Sequence, residues 1–515
     1  MHTSLKSCDL ARAKVVAEIF RDLDLHRCFN NGTISGHYLT RAYVMMQSFT
    51  FSRLLTLHSL VILLGLGIYV LTSHVRHQRR HPSAAIAWVV SLSLIPYIAL
   101  PLYFFFGNRK ALRAQAAAPR DIERVEHIDA ESLAARFQQI AAAMGLPPPD
   151  TYSAFKLHQD GPAALGALLT VIKDARTSLS VCTFLIGQDV AGEEVQQALI
   201  TCAQTGVKVR LLIDGVGVYL GGRPPLKSLS AAGVEVVFFV SPLRSALEGR
   251  TNLRNHRKLL IADGRHVWCG GRNIAAEYFS GDLTKAGKSI PWVDMSFDFE
   301  GRLAETTQQQ FDRDWAFATQ TPFIETCMKP ATPALGYEAK AQLVPSGPDQ
   351  KDDTVYSLLV SSCFTARSRI QVSTPYFVPD ATLLMAMTLA SRRGVSVDLL
   401  LPQKSNHRLA DIARHAALRE LSSAGGRVWM LPRMMHAKVM VIDDELAMAG
   451  SANLDERSLF LNYELMIAFF EADEVQRFSA WIDQHIQEAT LYVPFRPGLM
   501  GELTEGLVRS VAFQL

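Results

Sequence analysis

The chain is short of net charge. Its 515 residues carry 52 Lys and Arg against 49 Asp and Glu, a formal +3. A domain that tracks a phosphate backbone is expected to be clearly basic, so nucleic acid is not expected as a partner. Cysteine is sparse too: seven residues, an odd number, with no Cys-x-x-Cys pair. That excludes a disulfide framework and fits a reducing compartment. Charge is also missing locally. Residues 84–106 hold no Asp, Glu, Lys or Arg, and residues 54–73 are polar only at Thr56, His58, Ser59, Thr72 and the terminal Ser73.

Each apolar stretch is long enough to cross a bilayer of about 30 Å as a helix. Pro96 and Pro101 are tolerable there when neighbours satisfy the freed carbonyls. Arg53, Arg76, Arg79, Arg80, Arg109 and Lys110 bracket the two stretches, so the expectation is a transmembrane helical hairpin over residues 54–106. The alternative is a buried hairpin in a soluble domain. The first run starts too late for a cleavable signal peptide, and a second follows it. By total count, the basic residues outside the connecting loop keep both termini cytoplasmic; by density, the loop competes. His74, His77 and His81 in that loop are expected at the bilayer surface. Residues 1–50 read as an N-terminal extension, and residues 107–150 as a linker with one helix near 128–144.

What the chain does have is one phrase twice. His256-Arg257-Lys258-Leu259-Leu260-Ile261-Ala262-Asp263 and His436-Ala437-Lys438-Val439-Met440-Val441-Ile442-Asp443 share His-x-Lys-x-x-x-x-Asp. At the same distance follow Gly270-Gly271-Arg272-Asn273 and Gly450-Ser451-Ala452-Asn453. Two such matches are not chance. In an extended strand, His and Lys at i and i+2 share a face. Imidazole can attack phosphorus when neutral or give up a proton when charged, and Lys is a compact cation suited to phosphate oxygens. Two imidazoles facing one phosphorus atom is the chemistry this duplication suggests, and it needs no metal or cofactor. On strand alternation Arg257 points away from His256 and is expected to be exposed, although it and Arg272 could instead meet an anionic headgroup.

The repeat extends beyond the motif. Gly206-Val207-Lys208-Val209-Arg210-Leu211-Leu212 answers Gly394-Val395-Ser396-Val397-Asp398-Leu399-Leu400, and Leu229-Ser230-Ala231-Ala232-Gly233 answers Leu421-Ser422-Ser423-Ala424-Gly425. Helices ending at Gly and alternating with apolar strands predict an α/β fold of βαβ units on a mostly or mixed parallel sheet. Repeat one is placed at 151–330 and repeat two at 335–515, with one shared active site between them.

Both phrases with their Gly-Gly/Ser-x-Asn tails resemble the phospholipase D superfamily. Ser373-Thr374-Pro375-Tyr376-Phe377-Val378-Pro379-Asp380, the run from Gly450 to Leu459 and the paired apolar segments resemble bacterial cardiolipin synthases within it. The resemblance implies two pseudo-symmetric phospholipase D-like repeats and a phosphohistidine intermediate, with His256 as nucleophile and His436 as general acid and base. The sequence alone is symmetric on that last point. Lys258, Lys438, Asn273, Asn453 and Ser451 are then expected to hold the phosphate oxygens. Glu464 and Asp294 are expected to orient one imidazole each, while Asp263 and Asp443 complete the catalytic set by bracing the motif. Tyr376 and Phe377 are expected near the site mouth.

The implied activity is transfer of a phosphatidyl group between two phosphatidylglycerol molecules in a bacterial cell membrane, with the catalytic repeats cytoplasmic. Water as acceptor would give a phospholipase D; a headgroup-exchanging enzyme, a nuclease and a non-catalytic lipid-binding scaffold are the other readings.

Overall fold

The computed structural model describes residues 56–72, 82–106, 132–240, 252–281, 290–323, 339–350 and 352–510. Residues 1–50, most of the expected linker and His74, His77 and His81 lie outside them. The described residues fall into two compact units, one holding residues 56–72 and 86–101 and the other the remaining described residues.

In the first unit a helix over residues 56–72 meets residues 86–101, which make up most of helix Pro82–Leu94 and the first half of helix Pro96–Phe106. Leu92 and Ala99 are buried, and a Cβ on Gly65 would lie 3.2 Å from Leu92 Cδ2, so glycine lets the helices close. The second apolar stretch is two helices rather than the expected one. Pro96 lacks the N–H that would continue the first helix and its ring favours a first-turn position, so the chain restarts there. Among the described residues no helix is long and apolar enough to cross a membrane. The unit nonetheless leaves Leu60, Leu63, Leu64, Leu71, Ile86, Leu94 and Ile98 more than half exposed.

The second unit carries the repeats. The first contributes β1 (Asp150–His158), β2 (Ser178–Thr183), β3 (Lys208–Ile213), β4 (Glu235–Phe238), β5 (Arg254–Asn255), β6 (Leu259–Ala262), β7 (His266–Gly270) and β8 (Ser296–Glu300). The second contributes β9 (Ala339–Ser346), β10 (Arg369–Ser373), β11 (Phe377–Val378), β12 (Ser396–Pro402), β13 (Arg427–Leu431), β14 (Val439–Ile442), β15 (Leu446–Gly450), β16 (Leu454–Asp455), β17 (Asn462–Phe469) and β18 (Thr490–Leu491). The strand order β1-β8-β7-β6-β2-β3-β4 is matched by β9-β17-β15-β14-β10-β12-β13, with β18 added at the outer edge. Within each half only the crossover strands, β2-β3-β4 and β10-β12-β13, run parallel; the remaining pairs of these orders are antiparallel. The halves join edge to edge where Asp150, Thr151 and Tyr152 pair antiparallel with Ala341, Lys340 and Ala339.

The motif strands are buried on both faces. Leu259 and Ile261 of β6 enter the same core as Val439 and Val441 of β14. Leu260 and Ala262 face an outer core of the first repeat, and Met440 and Ile442 one of the second. Each buried Leu, Ile or Val contributes roughly 1.5–3 kcal/mol, so both strands are anchored from two sides. That rigidity fixes the residues just before them. The helix expected in the linker is Leu133–Ala143, capped by Ser132, and it is no free linker. Leu133, Phe137 and Ala141 are packed in the second repeat's outer core, and Leu133 N–H donates to Glu445 at 2.7 Å.

Candidate active site

Backbone pairing between the repeats builds the site. β5 runs parallel to the start of β17, and His256 N–H donates to Tyr463 O at 2.9 Å. In the same way Met435 bridges to Val293, and His436 N–H donates to Val293 O at 2.6 Å. Each histidine is thus bonded to the carbonyl just before a carboxylate of the opposite repeat. Glu464 Oε1 accordingly stands 3.3 Å from His256 Nδ1, and Asp294 Oδ2 stands 2.8 Å from His436 Nδ1. The carboxylates are exchanged between halves, so neither repeat holds a complete His–carboxylate pair. With Nδ1–H given to a carboxylate, Nε2 of each ring keeps its lone pair for chemistry.

The two pairs open into one cavity of about 440 Å³, whose walls carry His256, Lys258, His436, Lys438, Asn273 and Asn453. Lys258 Nζ donates to His256 O at 2.5 Å; Lys438 Nζ lies 3.1 Å from His436 Nε2. Burial pushes all four groups toward their neutral forms. His256 and Lys258 are lowered, Lys438 falls to about 7, and His436 falls to about 4, where Lys438 adds to the burial. For both carboxyls burial acts upward and loses. His256 and Lys258 hold Glu464 below its usual range, and His436, Lys438 and Arg272 do the same for Asp294. Burial thus works toward neutral imidazoles beside anionic carboxylates, and a phosphodiester anion in the cavity would work toward the charged forms of the His and Lys side chains.

Glycine makes this approach possible. A Cβ on Gly270 would meet Met295 O at 2.4 Å, and one on Gly450 would meet Leu465 O at 2.1 Å. The carboxylate-bearing segments pass directly over those turns. The next position differs between repeats: a Cβ on Gly271 would sit 2.2 Å from Asp294 Oδ1, whereas Ser451 Oγ donates to Glu464 Oε2 at 2.6 Å. Ser458 Oγ and Asn462 Nδ2 also donate to Glu464, at 2.5 and 3.3 Å.

Several expectations need correction. Ser451 is buried and spent on Glu464 and on Leu465 N–H, so it steadies a carboxylate instead of meeting phosphate. Asp263 and Asp443 do brace the motif, but from beyond the far ends of β6 and β14, outside the cavity, so they leave the catalytic set. Asp263 accepts from Arg176, Thr177 and Ser178 N–H, and Asp443 from Arg367, Ser368 and Arg369 N–H. They tie the motif hairpin to the start of β2 or β10, and four hydrogen bonds hold the Asp263 carboxyl down to about 2. Arg257 is not exposed but fully buried, donating to Asp314, Glu464 O and Ser346 O. The face opposite His256 is covered by helix Arg302–Thr319 and strand β9. Arg272 is likewise enclosed, by Asp294 O, Tyr278 O and Ser296, so neither arginine meets a headgroup. Phe377 is core, while Tyr376 does line the cavity.

Asn273 Nδ2 donates to Tyr278 Oη at 2.8 Å, and the Oδ1 atoms of Asn273 and Asn453 are buried without a partner. The sequence reading missed Phe184, whose ring meets His256 at 4.4 Å, Tyr278 and Trp292, which meet His436 at 5.1 and 5.8 Å, and Asn462, 3.2 Å from His256 Nδ1. Asn462 was legible as i−2 from Glu464 on strand β17, and Trp292 as i−2 from Asp294 across the bridging Val293. Phe184 and Tyr278 left no comparable signal. Among the described residues no group of three His, Cys, Asp or Glu stands together to hold a metal, and four cysteines are free and buried.

A family model described as cardiolipin synthase, PLD-like domain, matches residues 168–315 and 361–486; another, phospholipase D-nuclease N-terminal, matches residues 65–108. The chain is 32% identical over 454 residues to cardiolipin synthase A of Pseudomonas putida (strain W619), covering 84% of this chain and 92% of that protein. It is 30% identical over 421 residues to cardiolipin synthase 1 of Bacillus anthracis, covering 77% and 82%. The fold is similar to that of phosphatidylserine synthase from Haemophilus influenzae Rd KW20, with a TM-score of 0.56 at 14% identity over 74% of this chain and 99% of that one.

Proposed function

We propose that this chain, which belongs to the cardiolipin synthase family of phospholipase D-like proteins, transfers a phosphatidyl group from one phosphatidylglycerol to another, releasing glycerol. The observation that carries the reading is the pair of His–Lys units in one cavity, each imidazole braced by the other repeat's carboxylate. His256 Nε2 attacks phosphorus while His436 protonates the departing glycerol oxygen. The P–O bond breaks and a P–N bond forms. His436 then takes the proton of the second lipid's headgroup hydroxyl, which attacks phosphorus and expels His256. Lys258, Lys438, Asn273 and Asn453 stabilise charge on the equatorial oxygens. His256 is the nucleophile by family resemblance. Glu464, buried and accepting hydroxyl donors from Ser451 and Ser458, keeps that ring in the attacking tautomer.

The exposed apolar side chains between Leu57 and Leu102 support membrane insertion of the N-terminal helices, since a soluble monomer rarely exposes such a contiguous surface. Insertion would hold donor and acceptor lipids at high effective concentration and favour transfer over hydrolysis. The bacterial cell membrane, with the repeats on its cytoplasmic side, is the proposed location.

The test is lipid mass spectrometry after incubating the purified full chain with phosphatidylglycerol alone, beside a His436→Ala control. Cardiolipin and glycerol, absent from the control, are expected. Phosphatidic acid as the main product would mean that water is the acceptor and would replace the transferase by a hydrolase.

A further inference from the structure

The internal repeat gives most residues around the cavity a counterpart in the other half, and so separates shared chemistry from what only one half does. His256 and His436, Lys258 and Lys438, and Asn273 and Asn453 correspond. Their surroundings do not. Two residues before His256 stands Arg254; two before His436 stands Met434. Four residues after Asn453 stands Arg457; four after Asn273 stands Glu277. Two before Glu464 stands Asn462; two before Asp294 stands Trp292. Both arginines and Asn462 belong to the His256 end of the cavity, with Asp455 beside Arg457 and Phe184 against the imidazole, whereas Tyr278 and Trp292 stand against His436.

Arg254 and Arg457 both reach the cavity wall. They come from different repeats, and Arg457 feels Arg254 across the wall: burial and then the Arg254 charge lower Arg457 to about 10. Arg457 is steadied by Asn252, through Oδ1 and the backbone oxygen, each at 3.2 Å. Arg254 Nε lies 4.0 Å from Asp214 Oδ1. That carboxylate is already shared among the N–H groups of Val216, Gly217 and Asn255. The reacting phosphate has its own donors in Lys258, Lys438 and the two imidazoles. A second, asymmetric pair of cations fits a second anion.

We propose that Arg254 and Arg457 form a subsite for the phosphodiester of the acceptor phospholipid, the phosphate that does not react. This rests on the transferase reading and deepens it. Three headgroup carbons separate that phosphate from the attacking hydroxyl, and the joined product carries two phosphodiesters where the cavity carries two sets of cations. A hydrolase has no use for the second set. The subsite selects a phospholipid over water or a small alcohol, because each arginine gains a charge-assisted hydrogen bond only with an anionic acceptor.

The test offers the full-length protein two acceptors at once: phosphatidylglycerol in mixed micelles that also contain ethanol, with cardiolipin and phosphatidylethanol measured together. In Arg254→Gln and Arg457→Gln the ratio of cardiolipin to phosphatidylethanol is expected to fall about tenfold or more, and Arg457→Lys should recover part of it. Continued phosphatidylethanol formation reports that the variants fold and still bind donor. If both products fall together and the ratio holds, the arginines serve the donor or the fold and the subsite is refuted. If the unsubstituted protein makes phosphatidylethanol and phosphatidic acid but no cardiolipin, the transferase reading itself fails and takes the subsite with it.

Discussion

Replacing Asp294 by Asn keeps the shape of the side chain and removes its charge. Asp294 is fully buried, its Oδ2 is 2.8 Å from His436 Nδ1, and its Oδ1 accepts from Met295 N–H at 2.7 Å. An amide oxygen can keep the second bond, so the variant should fold. What it loses is the anion beside a ring that must become imidazolium when it takes the acceptor's proton. With charge centres about 4 Å apart and an effective dielectric constant of about 20, that anion is worth about 4 kcal/mol. At 1.36 kcal/mol per factor of ten, turnover should fall about a thousandfold. Burial and Lys438 already depress His436 to about 4, and removing Asp294 depresses it further, so the alkaline limb of the pH–rate profile should move to lower pH. Cardiolipin formation from phosphatidylglycerol vesicles across pH 3–9, with a thermal melt as the folding control, measures both effects. Asp294→Asn combined with His436→Ala should be no less active than His436→Ala alone, because the carboxylate acts only through that ring. A single variant retaining more than about a tenth of its activity, with an unmoved pH profile, would refute the pairing.

Three further outcomes are expected. Gly271→Ser puts a Cβ 2.2 Å from Asp294 Oδ1 and should cost about 1–3 kcal/mol in denaturant unfolding and at least tenfold in activity, by displacing the carboxylate. Asp263→Ala and Asp443→Ala strip acceptors from three backbone N–H groups each and should each lower stability by about 1–3 kcal/mol, while activity per folded molecule stays within about threefold. His436 titrates near 4 when folded and near 6.5 when unfolded, so the unfolded chain binds the extra proton between those values. Its contribution to stability, at most about 3 kcal/mol, is present above pH 6.5 and lost as pH falls toward 4; His436→Gln should flatten that part of a stability–pH curve, and an unchanged slope would contradict the shift.

Much of the site could be read before any coordinates. The motif's i and i+2 spacing put His and Lys on one strand face, and the apolar tails of β6 and β14 identified buried strands. Gly270 and Gly450 were legible as part of the repeated phrase, but not as the turns over which the carboxylate-bearing segments pass. Arg257 shows where alternation misleads. It does point away from His256, but pattern alone cannot say whether the far face meets water or another element. Here it meets Asp314 and the backbone of the second repeat. Ser451 misled for the opposite reason: a hydroxyl beside a phosphate motif suggests a phosphate donor, yet its partner is thirteen residues onward, on strand β17.

The sequence by itself determined the duplication, the strand-borne His–Lys pairs and the local turns, because those depend on contacts between near neighbours and on a two-residue period. Only the tertiary structure decided which carboxylate serves which histidine. That exchange depends on β5 pairing with β17 and on Met435 bridging Val293, contacts separated by more than a hundred residues. It follows that Glu464 and His256, or Asp294 and His436, become partners only once two halves that look independent in sequence have closed on each other.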